Sequence, residues 1–327
     1  MSGSSGHLGT VHVVAVPTTV THVHNDLGRL APPLLLGESL RAGRVPSGRV
    51  VVVGPTGAAE TARACGLSPD CFLTLPVGRP ALGRRGFRRV AAGVQRIICW
   101  SDELSPLVRR MADEVHLVST DPDRCPAPPR HFARVTVLTE EDERVWRGRG
   151  GSPVLEADWA EHAPAGSPSR ADRRADLPVD ASMLTLASLD DRPASTDARG
   201  LAFLLSVLHT TGYPVCGLVP SIAGNAFVAR RHIRGLTSRY PLLLTERPLI
   251  ALLGSIDIVI TSDESKTGAN AVLESVARAH GVRVIRLSHK GRAGLKSTPG
   301  AAAPILQTLD AILADRRDAP TLEPQHA

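Results

Sequence analysis

The chain has 327 residues, 43% of them hydrophobic, 3% aromatic and 21% charged, with a formal net charge of +6. That length and apolar content support two packed domains and exclude a disordered chain. The basic balance raises nucleic acid or an anionic membrane as partners, but the arginines are dispersed in short pairs such as Arg84-Arg85 and Arg88-Arg89, with few aromatics among them to stack on bases, which argues against nucleic acid.

Five cysteines (Cys65, Cys71, Cys99, Cys125 and Cys216) include no C-x-x-C pair. They suggest neither a zinc site nor a disulfide scaffold, and a reducing, cytoplasmic compartment fits. No apolar run approaches about 18 residues and no charged segment precedes an apolar one near the start, so a membrane span and a signal peptide are not expected. Membrane contact would be peripheral at most.

In chain order, apolar strand-like runs alternate with helix-like segments, the pattern of parallel sheets with crossover helices. Val11 to Val16 predicts a first strand, Leu34 to Leu40 a first helix, and Val50 to Val53 a second strand closed by Gly54-Pro55-Thr56-Gly57. That turn lacks the lysine of a phosphate-binding loop. Further strands are expected over Phe72 to Leu75, Arg96 to Cys99, Glu114 to Val118 and Arg134 to Leu138. Ser101 to Met111 reads as a helix capped by Ser101 or Asp102, and Thr139-Glu140-Glu141-Asp142 opens another, a capping residue followed by acids.

From about Gly148 to Asp180 the chain is dense in Pro, Gly, Ser and charge, as expected of a connection between domains. The boundary is placed near residue 175, giving an N-terminal domain over residues 1–174 and a C-terminal domain over 175–327. The alternation then resumes: strand Met183 to Ala187, helix Ala198 to His209, strand Val215 to Val219, helix Ala226 to Gly235, strand Leu242 to Leu244 and short helix Leu249 to Leu253. Ile305 to Leu313 is a final amphipathic helix.

The most informative stretch is Asp257 to Leu287. Ile256, Ile258, Val259 and Ile260 predict a strand buried on both faces, followed by a polar, small-residue loop and a helix starting near Gly268. Gly281 ends that helix and the next strand begins at Val282. A helix start at this place presents unpaired amides and its positive end beyond the carboxyl edge of the sheet, where open α/β sheets bind ligands. The expectation is an anion site formed by the amides of Thr267, Gly268, Ala269 and Asn270, with Lys266 beside them and Glu274 in the second helical turn.

Two doubly wound, Rossmann-like domains facing a central cleft resemble the GT-B glycosyltransferases, in particular those using nucleotide-sugar donors. The resemblance is carried by Val135 to Trp146, similar to the last strand and helix of the acceptor domain, and by Met183 to Leu189, similar to the strand opening the donor domain. Pro248 to Ile260 resembles the helix and strand before the donor site, and Ala271-Val-Leu-Glu-Ser-Val-Ala277 with Gly281-Val-Arg-Val-Ile285 resembles the donor-site helix and its following strand. It implies a nucleotide-sugar donor, an unknown hydroxyl acceptor of the kind a lipid-linked group or a saccharide offers, and no tightly bound metal or other cofactor.

It also implies residue roles. Glu274 matches the helical glutamate expected to bind the ribose hydroxyls. Where retaining members place the partner glutamate, this chain has Lys266, with Glu264 two residues earlier to reach the sugar. Ser188 stands where an arginine neutralising the diphosphate is expected, and Arg192 or Arg199 would substitute. Inverting relatives carry a general base in the loop after the first strand, which here offers His22, His24 or Asp26, a histidine being poised near neutral pH. Asp102 and Glu103 are further acceptor-side candidates. The rival readings are a non-catalytic GT-B-like binding or scaffolding protein, motivated by Lys266 and Ser188, and a sugar-epimerising relative of the same fold.

Overall fold

A computed structural model of the chain describes residues 9–17, 27–55, 58–74, 86–109, 111–161, 183–188, 198–209, 212–221, 242–245, 249–262, 267–287 and 303–318. Two parallel sheets carry the fold. The first has seven strands in the order β3-β2-β1-β4-β5-β6-β7, running through β1 (Thr10–Ala15), β2 (Gly48–Gly54), β3 (Cys71–Thr74), β4 (Arg96–Cys99), β5 (Glu114–Ser119), β6 (Arg134–Val137) and β7 (Val154–Leu155). The second has five in the order β10-β9-β8-β11-β12, from β8 (Leu184–Ser188), β9 (Val215–Pro220), β10 (Leu242–Thr245), β11 (Ile258–Ser262) and β12 (Arg283–Leu287). Chain order reverses between β1 and β4 in one sheet and between β8 and β11 in the other, and those reversals are where such sheets bind ligands.

Central strands of the first sheet are valine runs because both faces are covered. Val13 and Val14 of β1 are fully buried on opposite faces, in separate apolar clusters. Helix α1 (Ala31–Arg41) begins with Pro32 and Pro33 in its first turn, where a missing amide proton costs little. It is followed by α2 (Ala58–Ala64), and the described helices of the second domain include α6 (Ala198–His209), α7 (Gly268–Ala279) and α8 (Ala303–Asp318). Leu205 and Leu208 of α6 and Ile305 and Leu309 of α8 share a core with Leu184 and Leu186 of β8.

Two differences from the sequence reading have physical causes. The helix expected over Ser101 to Met111 is a 3-10 turn, Asp102–Leu104, and one helical turn, α3 (Ser105–Val108), which ends as Arg109 turns extended at ψ 133°. Its first residue, Asp102, faces inward to accept from the Ser119 hydroxyl at 2.7 Å and the Thr120 and Asp121 amides at 3.0 Å, which ties the segment to the end of β5. The stretch read as a linker from about residue 148 is partly folded: β7 pairs with β6, and α5 (Asp158–Glu161) lies against α1 and α7. Trp159 of α5 stacks on buried Trp100 with ring centroids 5.9 Å apart. The boundary placed near residue 175, and the helix read over Ala226 to Gly235, fall outside the described residues.

The sheets meet through an apolar seam. Ala269 and Val272 of α7 are buried with Val14, Leu36 and Trp100 of the first domain, while Leu273 and Ala277 join Leu30 and Cys65. Among the described residues no helix is long and apolar enough to cross a membrane.

Candidate functional site

Helix α7 starts where the sequence places it. Thr267 is extended (φ −75°, ψ 154°) and its hydroxyl accepts from the Asn270 amide at 3.2 Å, an N-cap on the first turn. The regular ladder begins with the Ala271 amide on the Thr267 carbonyl at 3.1 Å. The two remaining amides of the tip point at the other domain. Gly268 N–H donates to Asp142 Oδ2 at 2.7 Å and Ala269 N–H donates to the Thr120 carbonyl at 2.8 Å. The close approach explains the glycine: a Cβ at position 268 would stand 2.8 Å from Asp142 Oδ2 and 3.2 Å from Leu138 Cβ.

Asp142 lies in the first turn of α4 (Glu140–Gly148), whose N-cap Thr139 accepts from the Asp142 amide at 3.2 Å. Its side chain is buried. Burial pushes its carboxyl up to about 8; the Gly268 and Thr139 hydrogen bonds pull the other way, and the nearby Asp102 and Asp121 charges add to the rise. Asp102 behaves alike: burial raises it to about 7 against the three donors it accepts from. A cavity of about 20 Å³ lies beside Asp102, bordered by Arg29, Glu103, Asp121 and Arg124. It has the capacity of a single water, not of a sugar.

Glu274 is 1% exposed and fully engaged. Oε1 accepts from Thr261 Oγ1 at 2.9 Å, Asn270 Nδ2 at 3.3 Å and Arg286 Nε at 3.0 Å, while Oε2 accepts from Arg278 at 2.8 Å and Arg286 at 2.6 Å. Arg286 belongs to β12, which is paired with β11, and thus forks onto the carboxylate from the next strand. The expectation that Glu274 offers its oxygens to a ribose meets a carboxylate that already carries donors on both.

Of the sequence-selected residues, the structure brings together Thr267, Gly268, Ala269, Asn270 and Glu274 on one helix. His24, Asp26, Arg192, Glu264 and Lys266 lie outside the described residues. They belong to the segments after β1, β8 and β11, strands that border the two chain reversals. Ser188, at the end of β8, donates to the Ile260 carbonyl at 3.4 Å. Asp142, Thr120, Arg278 and Arg286 were missed. Arg278 stands four residues after Glu274, a spacing that signals a helical ion pair. The other three become neighbours only when the sheets are assembled.

No protein-family model matches the sequence, and no protein of curated function matches it by sequence. Solved structures do match by shape. The Anabaena protein HepE, in complex with UDP-glucose, superposes with a TM-score of 0.56 at 12% identity, covering 94% of this chain and 90% of that one. The UDP-GlcNAc 2-epimerase of Methanocaldococcus jannaschii gives 0.54 at 9% identity, covering 87% and 86%. That of Neisseria meningitidis, bound to UDP-GlcNAc, gives 0.52 at 9%, covering 94% and 92%. With two doubly wound parallel sheets in succession, this chain has the two-domain GT-B type of fold.

Proposed function

We propose that the protein is a glycosyltransferase that moves a sugar from a nucleotide-sugar donor to a hydroxyl acceptor, lipid-linked or a saccharide. One observation carries the reading: at the chain reversal of the second sheet, α7 starts from the Thr267 N-cap with a small, neutral first turn, Gly268-Ala269-Asn270, that has no acid of its own. A site that takes a carboxyl oxygen has the geometry for a phosphoryl oxygen. The solved structures with UDP-glucose and UDP-GlcNAc add a reason to choose nucleotide sugars as ligands.

In this reading the amides of Gly268 to Asn270, with Lys266 and Arg192, neutralise the diphosphate as it departs, the position where preorganised charge accelerates transfer most. Glu264 approaches the sugar, Glu274 exchanges one of its internal donors for a ribose hydroxyl, and His24 or Asp26 receives the acceptor proton. No resident metal or other cofactor is assigned a step. The five cysteines form no disulfide among the described residues, which supports a cytoplasmic setting.

A second reading, a non-catalytic binding or scaffolding protein with a degenerate donor site, is favoured by the filled α7 tip and by the donors on both oxygens of Glu274. The test is a melting-temperature series with UDP, UDP-glucose and UDP-GlcNAc, repeated on Lys266→Ala, followed by product analysis. A ligand shift lost in the variant, with transfer to an added acceptor, supports the transferase. A shift without turnover supports the binding protein, inversion of the sugar at C2 replaces both with an epimerase, and no shift with any nucleotide ends the donor-site proposal.

A further inference from the structure

Two helix starts converge on one carboxyl group at the seam between the domains. An acid at the third position of α4 ordinarily folds back on its own helix start, completing a capping box with Thr139. Asp142 keeps a side-chain hydrogen bond with Thr139 and also sends Oδ2 across the seam to Gly268 of α7. The α7 first turn contains no acid of its own, whereas the α4 first turn contains Glu140, Glu141, Asp142 and Glu143. The contact is reinforced by the Ala269 amide on the Thr120 carbonyl, and the Ala269 and Val272 side chains are buried behind it against the first domain.

An amide proton that is held by Asp142 is not available to a second oxygen. We infer that the Asp142–Gly268 contact is an autoinhibitory latch: the first domain seats its own carboxyl at the diphosphate position of α7, and a nucleotide-sugar donor enters only when Asp142 withdraws. The inference rests on the donor-site reading given above. A donor that binds only the unlatched form pulls the population toward it, and its apparent affinity falls in proportion to the latched fraction. The latch accounts for the glycine at 268, where a Cβ would stand 2.8 Å from Asp142 Oδ2 and press the carboxyl away from the amide.

The test uses the full chain with Asp142→Ala, the isosteric Asp142→Asn as a second variant, and Glu141→Ala as the neighbouring control. Calorimetric titration with UDP and with inorganic pyrophosphate is paired with amide hydrogen exchange of peptides covering residues 267–271. The expected result is exchange about tenfold faster and binding about tenfold tighter in Asp142→Ala, about threefold in Asp142→Asn, and no change in Glu141→Ala. Unaltered exchange in both Asp142 variants, or wild-type affinity equal to theirs, overturns the latch and leaves the donor site standing. Faster exchange with no binding of either probe to any protein overturns the donor-site reading and the inhibitory role together.

Discussion

Helices α4 and α7 begin in the same way and solve the same problem differently. Each has a threonine N-cap whose hydroxyl accepts from the amide three residues on, both at 3.2 Å. The α4 first turn is wholly acidic, so its positive end is matched from within its own sequence. The α7 first turn is Gly268-Ala269-Asn270, small and neutral, and its two outward amides depend on oxygen atoms from another domain. A helix start emptied of acids and bulk is suited to an external acceptor, and here that acceptor is another part of the same chain.

The comparison breaks most severely at Glu274, the only acid of α7, which faces inward and serves two arginines instead of the tip. Glu274→Ala leaves Arg278 and Arg286 without their buried partner and is expected to destabilise by about 3 kcal/mol in urea unfolding, the low end for a broken buried pair because both arginines are about half exposed. Next in size is the pH response of Asp142. Its folded pKa is raised to about 8, and that of Asp102 to about 7, so the folded state keeps protons that the unfolded chain has released. Stability therefore falls as pH rises from the ordinary carboxylate range near 4 and levels off above about 8, losing about 1.4 kcal/mol between pH 7 and pH 8, and Asp142→Asn removes most of that last part of the decline. The charges of Asp102 and Asp121, which face the same carboxyl, extend the decline to higher pH.

Smaller effects sharpen the contrast between the two caps. Thr267→Ala is expected to cost about 1 kcal/mol, the usual value of a lost N-cap. Thr139→Ala costs more than Thr267→Ala, because Thr139 also hydrogen-bonds the Asp142 side chain. Glu141→Ala, on an exposed side chain paired with Arg144, changes stability by less than about 0.5 kcal/mol. Equal losses at Thr139 and Thr267 would show that the α4 cap has no role in placing Asp142.

Much of this architecture was legible in the residues. Buried valine and isoleucine runs locate β1, β2, β4, β5 and β11 to within a residue or two, and Thr267 followed by Gly-Ala-Asn marks the start of α7. Gly281 marks its end, adopting a φ of +72° just beyond the helix. Asp142 was not legible as an interdomain residue because Thr-x-x-acid already has a sufficient local meaning. Arg286 was hidden for another reason: it reaches Glu274 only because β12 lies beside β11, a long-range pairing with no local signature. At Ser101 to Met111 the helical pattern lost to the inward turn of Asp102 and its three donors.

The stack of Trp159 on Trp100 has an optical consequence. The chain's three tryptophans, Trp100, Trp146 and Trp159, all precede the second sheet, so red-edge excitation of indole is blind to the interior of the second domain. Trp159 rides on α5, which touches α7, and its ring lies stacked against a fully buried neighbour, Trp100. Emission from that pair is a native reporter of the seam, requiring no dye to watch the halves separate.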